Sequence, residues 1–278
     1  MDNPVWVYWE NFRNKPEPAY ITLCRWTMLY NWRDENIIFI NPENIDYYLP
    51  GISSRVSGIE SSIHGRAERL KRKFFKSRIS LATKADAIRA SVLRTYGGIY
   101  ADSGTVALGS LDKYFSQLRR ESVDFIISQR SSHGRSDFPV SIYGCNPSSQ
   151  IIQEYVSQIY ALLEKTKEFD YNGLGTILLT PIVRSHLDET AIIPERDIMP
   201  ITAEDSLRLY SARDVEPTSL ISENNVVFKL FNYPFKCQLK SHSIEHLYHS
   251  DFFVGKLFRH ALPEQAFYGY LDAAKNSK

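Results

Sequence analysis

Between Lys84 and Val106 the chain reads KADAIRASVLRTYGGIYADSGTV, which dictates a helix, an abrupt stop, a buried strand and an isolated acid in quick succession. Thr83 followed three residues on by Asp86 has the form of a capping box. Each side chain there satisfies a backbone donor left open in the first turn, so a helix start is predicted at Thr83. Ala85, Ile88, Val92 and Tyr96 then recur at helical spacing. Gly97 ends the helix, and the second glycine, Gly98, implies that backbone passes close to something as the chain turns into Ile99, Tyr100 and Ala101. That run predicts a buried strand, broken by Asp102-Ser103-Gly104-Thr105. A carboxylate at the carboxyl end of a strand lies where open α/β sheets bind ligands. Each acid also has a plainer reading: Asp86 as a capping residue paired with Arg89 at i,i+3 on a solvent face, and Asp102 as a turn residue.

The flanking chain supplies the sheet to which this strand belongs. Val5 to Trp9 predicts a first strand, Tyr20 to Trp32 a helix, and Asn36 to Ile40 a second, short buried strand. Strand, helix, strand is the opening of a Rossmann-like arrangement, so the expected fold class is α/β, a single domain with a mostly parallel central sheet flanked by helices. The glycine-rich dinucleotide fingerprint is missing from the first turn, which disfavours a dehydrogenase. Residues 41–62 read as loop with a helical turn around Ile45 to Leu49. Further strands are expected at Val123 to Ser128 and Val140 to Cys145, and helices at Gln150 to Lys165, capped by Ser148 or Ser149, and at Ile177 to His186. Residues 190–240 alternate short β-prone runs with prolines. His242, His246 and His249 precede the apolar tail Phe252 to Phe258.

With 278 residues, 43% of them hydrophobic, the chain is long enough to bury a core without disulfides. Its three cysteines, Cys24, Cys145 and Cys237, are far apart and lack metal-ligand spacing, which points to a reducing, cytoplasmic setting. A formal net charge of +1 argues against a polyanion partner, and nucleic acid is not expected. There is no leader-like amino terminus and no apolar run of about 18 residues, which predicts a soluble or peripherally membrane-associated protein. From His64 to Arg78 the residues Arg66, Arg69, Lys71, Arg72, Lys73, Lys76 and Arg78 stand against one acid, Glu68. They form either a solvated helix face or a basic surface for an anionic acceptor at a membrane.

An Ala-Asp pair at 85–86, Arg89 three residues on, the Gly-Gly-Ile-Tyr run at 97–100 and Asp102 beyond it together resemble the signature of nucleotide-sugar glycosyltransferases. The pattern looks most like the capsular polysaccharide synthesis type. The resemblance implies a GT-A-type fold and transfer of a sugar from a nucleoside diphosphate sugar, UDP-linked by preference or GDP-linked, to a hydroxyl of a glycan or lipid-linked glycan. Any membrane contact would run through 64–78. The donor-binding residues so implied are Trp9, Lys84, Asp86, Arg89, Gly98, Tyr100, Asp102 and Ser103, with Trp9 stacking on the base or, like Trp6, serving as a core anchor. Gly175 and Thr176 fall on the acceptor side, and Asp137 is either a general base or a turn residue. Asp102, with His246 and His249, would hold Mn2+ or Mg2+. One departure stands out, because Gly104 occupies the place where many relatives have a second Asp; if metal is dispensed with, Lys84 or Arg89 would stabilise the leaving group. The domain expected is 1–278, its nucleotide-sugar half about 1–130 and its acceptor half about 131–278. The rival readings are a catalytically inactive partner subunit and a nucleotidyltransferase.

Overall fold

The computed structural model describes residues 4–11, 15–61, 72–131, 134, 136–170, 172–237, 239 and 242–276, with the side chains of 60, 61, 72–80, 236 and 237 left aside. The chain forms two compact units that exchange segments: the first is Met1–Asn14, Ile38–Ala101 and Lys113–Ile193, and the second is Lys15–Ile37, Asp102–Asp112 and Pro194–Lys278.

The strands are β1 (Pro4–Tyr8), β2 (Asn36–Ile40), β3 (Glu60–Ser61), β4 (Gly98–Ala101), β5 (Thr105–Ala107), β6 (Phe125–Gln129), β7 (Ile142–Cys145), β8 (Glu168–Phe169), β9 (Thr190–Pro194) and β10 (Val227–Lys229). Six of them form the central sheet in the order β2-β1-β4-β7-β6-β9. β1 pairs in parallel with β4, Val5 opposite Ile99. β7 runs antiparallel to both β4 and β6, so β1, β4 and β6 share one direction. β1 and β4 are buried along their whole length, as continuous apolar runs are when both faces of a sheet are covered. Helices Arg72–Tyr96, Gln150–Lys165 and Thr176–Ser185 supply much of that cover in the first unit, with Ile88, Val92, Ile152, Val156, Leu179 and Val183 in its core.

The expected helix start at Thr83 is corrected. The helix runs unbroken from Arg72 to Tyr96, and Thr83 is a buried residue inside it. A cap requires non-helical backbone at the capping position, and Lys and Arg are good helix formers, so the basic run continues the helix upstream. Most of the basic stretch 64–78, with its proposed anionic surface, lies outside the described residues and side chains.

The double glycine has a packing reason. Gly97 receives the stop, its N–H bonding to the Leu93 carbonyl at 2.8 Å with φ at +65°, and its own carbonyl accepts from Trp6 Nε1 at 3.1 Å. Gly98 has φ +91°, and a Cβ there would lie 2.1 Å from the Pro4 carbonyl oxygen. What the backbone approaches is therefore β1, and Gly98 serves strand pairing within the first unit. Gly98→Ala is expected to destabilise the chain by at least about 1–3 kcal/mol, the range for overpacking, to which the strained φ adds. Urea unfolding measures it, and an unchanged midpoint would remove this explanation.

In the second unit, β5 and β10 pair antiparallel, with Lys229 opposite Thr105, Phe228 opposite Val106 and Val227 opposite Ala107. Helix Ala19–Asn31 holds β5 in place: Thr27 Oγ1 accepts from the Ala107 N–H at 3.0 Å, and the Asn31 amide donates to the Ala107 carbonyl at 2.9 Å. Trp32 Nε1 donates to the Gly109 carbonyl at 3.0 Å. Cys24 and Cys145 are free and buried, and no helix among the described residues is long and apolar enough to cross a membrane.

Candidate functional site

Asp86 and Arg89 sit one helical turn apart on the buried face of Arg72–Tyr96, 4% and 6% exposed. They are not a solvent-face pair. Arg89 bonds Asp86 Oδ1 at 2.9 Å, donates to the Ala85 carbonyl at 3.3 Å and to the Val140 carbonyl, and lies over the Tyr100 ring, 5.0 Å from its centroid. A Cβ on Gly175 would fall 2.8 Å from Asp86 Oδ2, so only glycine admits the carboxylate there. Gly175 is the N-cap of helix Thr176–Ser185, whose positive end favours a negative charge beside it. Tyr143 and Tyr155 are buried in the same unit, and their hydroxyls are pushed well above the usual tyrosine range by burial first, with Asp86 adding to the rise. The structure thus brings Asp86, Arg89, Tyr100, Gly175 and Thr176 of the first unit into one buried region, within which Asp86 and Arg89 bond to protein groups.

The other first-unit residues are tied elsewhere. Trp9 lies just past β1, half-buried, with its indole N–H on Asn11 Oδ1 at 2.7 Å, whereas Trp6 is core. Lys84 pairs with Glu10 at 2.7 Å, the same carboxylate oxygen that accepts from the Tyr8 hydroxyl at 2.6 Å. Asp137 forms a two-pronged ion pair with Arg130, at 2.8 and 2.5 Å, across an isolated antiparallel bridge.

The second unit carries Asp102, the residue that follows β4 in the chain. Its Oδ2 lies 2.8 Å from the ammonium nitrogen of Lys229, whose side chain is 12% exposed. The β5–β10 register sets this pairing, reinforced by the Leu230 N–H donating to the Gly104 carbonyl at 2.8 Å. Ser103 is buried. At Gly104, where a second acid was looked for, a Cβ would meet Asn232 Oδ1 at 3.3 Å, the Leu230 carbonyl at 3.5 Å and Lys229 Nζ at 3.6 Å. Asn232 Oδ1 in turn accepts from the Tyr20 hydroxyl at 3.0 Å.

Lys229 is the residue that the sequence reading missed. Its signal was a single lysine ending the apolar run Val226-Val227-Phe228, but nothing local said which strand that run would join.

The histidines point to their own neighbours. His246 is exposed and meets the His242 ring edge-on at 4.6 Å, and His249 is exposed with Nε2 3.2 Å from the Tyr268 hydroxyl. Hard divalent ions are held through oxygen ligands, carboxylates above all. Here the Asp102 carboxylate already carries an ammonium, Gly104 offers no side chain, and no three His, Cys, Asp or Glu side chains among the described residues are grouped so as to hold an ion. The residues present do not fit the implied Mn2+ or Mg2+ site.

Similarity to solved structures is broad and weak. The glycosyltransferase GlyE of Streptococcus pneumoniae TIGR4 is 10% identical at a TM-score of 0.47, over 99% of this chain and 64% of its own. Mouse xyloside xylosyltransferase 1 is 11% identical at 0.45, over 83% and 98%. The galactosyltransferase LgtC is 12% identical at 0.43, over 94% and 98%. No curated protein matches the chain. The sequence match carries the assignment: residues 1–192, the part that includes the whole signature from Asp86 to Asp102, match the family described as capsular polysaccharide synthesis protein, and the chain belongs to that family.

Proposed function

We propose that this chain is a glycosyltransferase that moves a hexose or pentose from a nucleoside diphosphate sugar, UDP-linked by preference, to a hydroxyl of a glycan or lipid-linked glycan. The observation that carries the reading is Asp102, which follows the carboxyl end of strand β4, parallel to β1, two residues after the Gly-Gly-Ile-Tyr run. That end of an α/β sheet is where ligands bind. Membership of a polysaccharide-synthesis family supports a glycan acceptor. In this reading Trp9, half-exposed past the end of β1, offers a platform for the base. Asp102 and Ser103 lie at the diphosphate. The buried Asp86–Arg89 pair supports Tyr100 and packs against Gly175, Gly175 and Thr176 are assigned to the acceptor side, and Asp137 keeps its tie to Arg130.

The purified chain incubated with a panel of UDP- and GDP-sugars tests the proposal, the readout being release of nucleoside diphosphate. Release of inorganic diphosphate would instead make it a nucleotidyltransferase, and no release from any donor would make it a partner subunit. In the same assay series Trp9→Ala is expected to weaken nucleoside diphosphate binding by about 1–3 kcal/mol, the range for losing an aromatic platform under a base. Equal affinities by calorimetry would return Trp9 to a packing role.

A further inference from the structure

We propose that Lys229 supplies the positive charge on which the donor's diphosphate is held and released, in the place a divalent ion would otherwise take. The inference rests on the transferase reading above and goes beyond it in naming the residue and the kind of charge. Lys229 lies outside the matched span 1–192, so family membership says nothing about it.

Several observations converge on Lys229. Its ammonium is 2.8 Å from Asp102 Oδ2 and largely shielded from water. An ion bound to Asp102 would have to share that carboxylate with an ammonium already in place, and two cations on one carboxylate repel each other. The register Lys229–Thr105 is set by backbone pairing rather than by the salt bridge, so the ammonium is presented by a strand and not by a mobile loop. Gly104 removes the second carboxylate that would have tipped the local charge towards a divalent ion, and the groups around its absent Cβ are a neutral amide, a carbonyl and Lys229 itself. A lysine ammonium is a compact point charge with three donors, suited to phosphate oxygens.

In the reaction, the bond between the sugar's anomeric carbon and the distal phosphate oxygen breaks, and its electron pair stays on that oxygen. The acceptor hydroxyl oxygen forms the new bond to the anomeric carbon, and its proton goes to solvent. The products are the glycoside, the nucleoside diphosphate and a proton. Lys229 stabilises the charge that grows on the departing phosphate, a cation placed in advance where negative charge develops. Asp102 acts through it as a positioning residue, aiming the ammonium that the strand presents.

Calorimetric titration of UDP and of GDP into the full chain, in EDTA and then in Mn2+, tests the proposal. Binding in EDTA is expected within about threefold of that in Mn2+. Lys229→Gln should weaken binding in EDTA by about 10- to 100-fold, the equivalent of one charge-assisted hydrogen bond, while Lys229→Arg, which keeps the charge on a different shape, should lose less than Lys229→Gln does. If Lys229→Gln fails to fold by circular dichroism, the double variant Asp102→Asn with Lys229→Gln, which leaves neither charge without its partner, is compared with Asp102→Asn and is expected to show the same loss of about 10- to 100-fold in EDTA. Binding only in Mn2+, or an unchanged Lys229→Gln, overturns the role of Lys229 and leaves the transferase reading standing. No binding of either nucleotide in either buffer overturns both.

Discussion

Asp86→Asn is expected to lower the stability of the chain by about 3–5 kcal/mol, the cost of leaving one member of a buried ion pair without its partner. The substitution changes almost no volume, so packing against Gly175 survives and only the charge is lost. Arg89, 6% exposed, keeps its bonds to the Ala85 and Val140 carbonyls, yet it loses the Asp86 carboxylate that it meets at 2.9 Å. Helix Thr176–Ser185 also loses the negative charge beside its amino-terminal end, a smaller contribution of about 0.3–1 kcal/mol. Urea unfolding of parent, Asp86→Asn, Arg89→Met and the double variant separates the pair from its surroundings. The double variant is expected to be less destabilised than the two single losses added together, because removing both charges leaves neither one buried alone. A loss of under about 1 kcal/mol in Asp86→Asn would show that the pair is not the framework described above, and would return Asp86 and Arg89 to direct contact with the donor.

What could be read from the sequence was what is encoded locally. Asn36–Ile40 and Gln150–Lys165 occur where their patterns placed them, the first as an edge strand with only Ile40 buried rather than the buried strand expected, and the second as a long amphipathic helix started by Ser149, whose hydroxyl accepts from the Ile152 N–H. Gly98 announced a close approach of backbone, which the φ of +91° bears out. Its partner, Pro4, is a matter of strand pairing that no local pattern carries. The same limit hid the direction of β7, because a fully buried apolar run reads alike in parallel and antiparallel ladders. It hid Lys229 as well: the salt bridge to Asp102 exists because β10 pairs with β5 across a long stretch of chain, and only that pairing turns a lysine in an irregular region into a partner of the signature acid. Thr83 shows the opposite failure. A locally convincing cap was overridden because the helix continues through it.

Asp102→Asn is expected to split affinity from turnover. With Lys229 as the resident cation, the carboxylate is a negative charge close to where the diphosphate lies, and its repulsion opposes binding. Neutralising it should leave nucleoside diphosphate affinity in EDTA unchanged or several-fold stronger. Turnover should nonetheless fall by about 10²-fold, because the ammonium loses the partner that aims it and misplacement of a charged group by about 1 Å has an effect of that size. If Asp102 instead holds a divalent ion, the same substitution removes the ligand, and affinity in Mn2+ and turnover fall together. The two accounts therefore part in Mn2+, where the first leaves the affinity of this isosteric variant unchanged or stronger and the second lowers it. Titration of UDP into parent and Asp102→Asn, each in EDTA and in Mn2+, with turnover recorded in parallel, reads that difference. A variant that binds more weakly than the parent in Mn2+ but not in EDTA would transfer the role from Lys229 to a metal on Asp102.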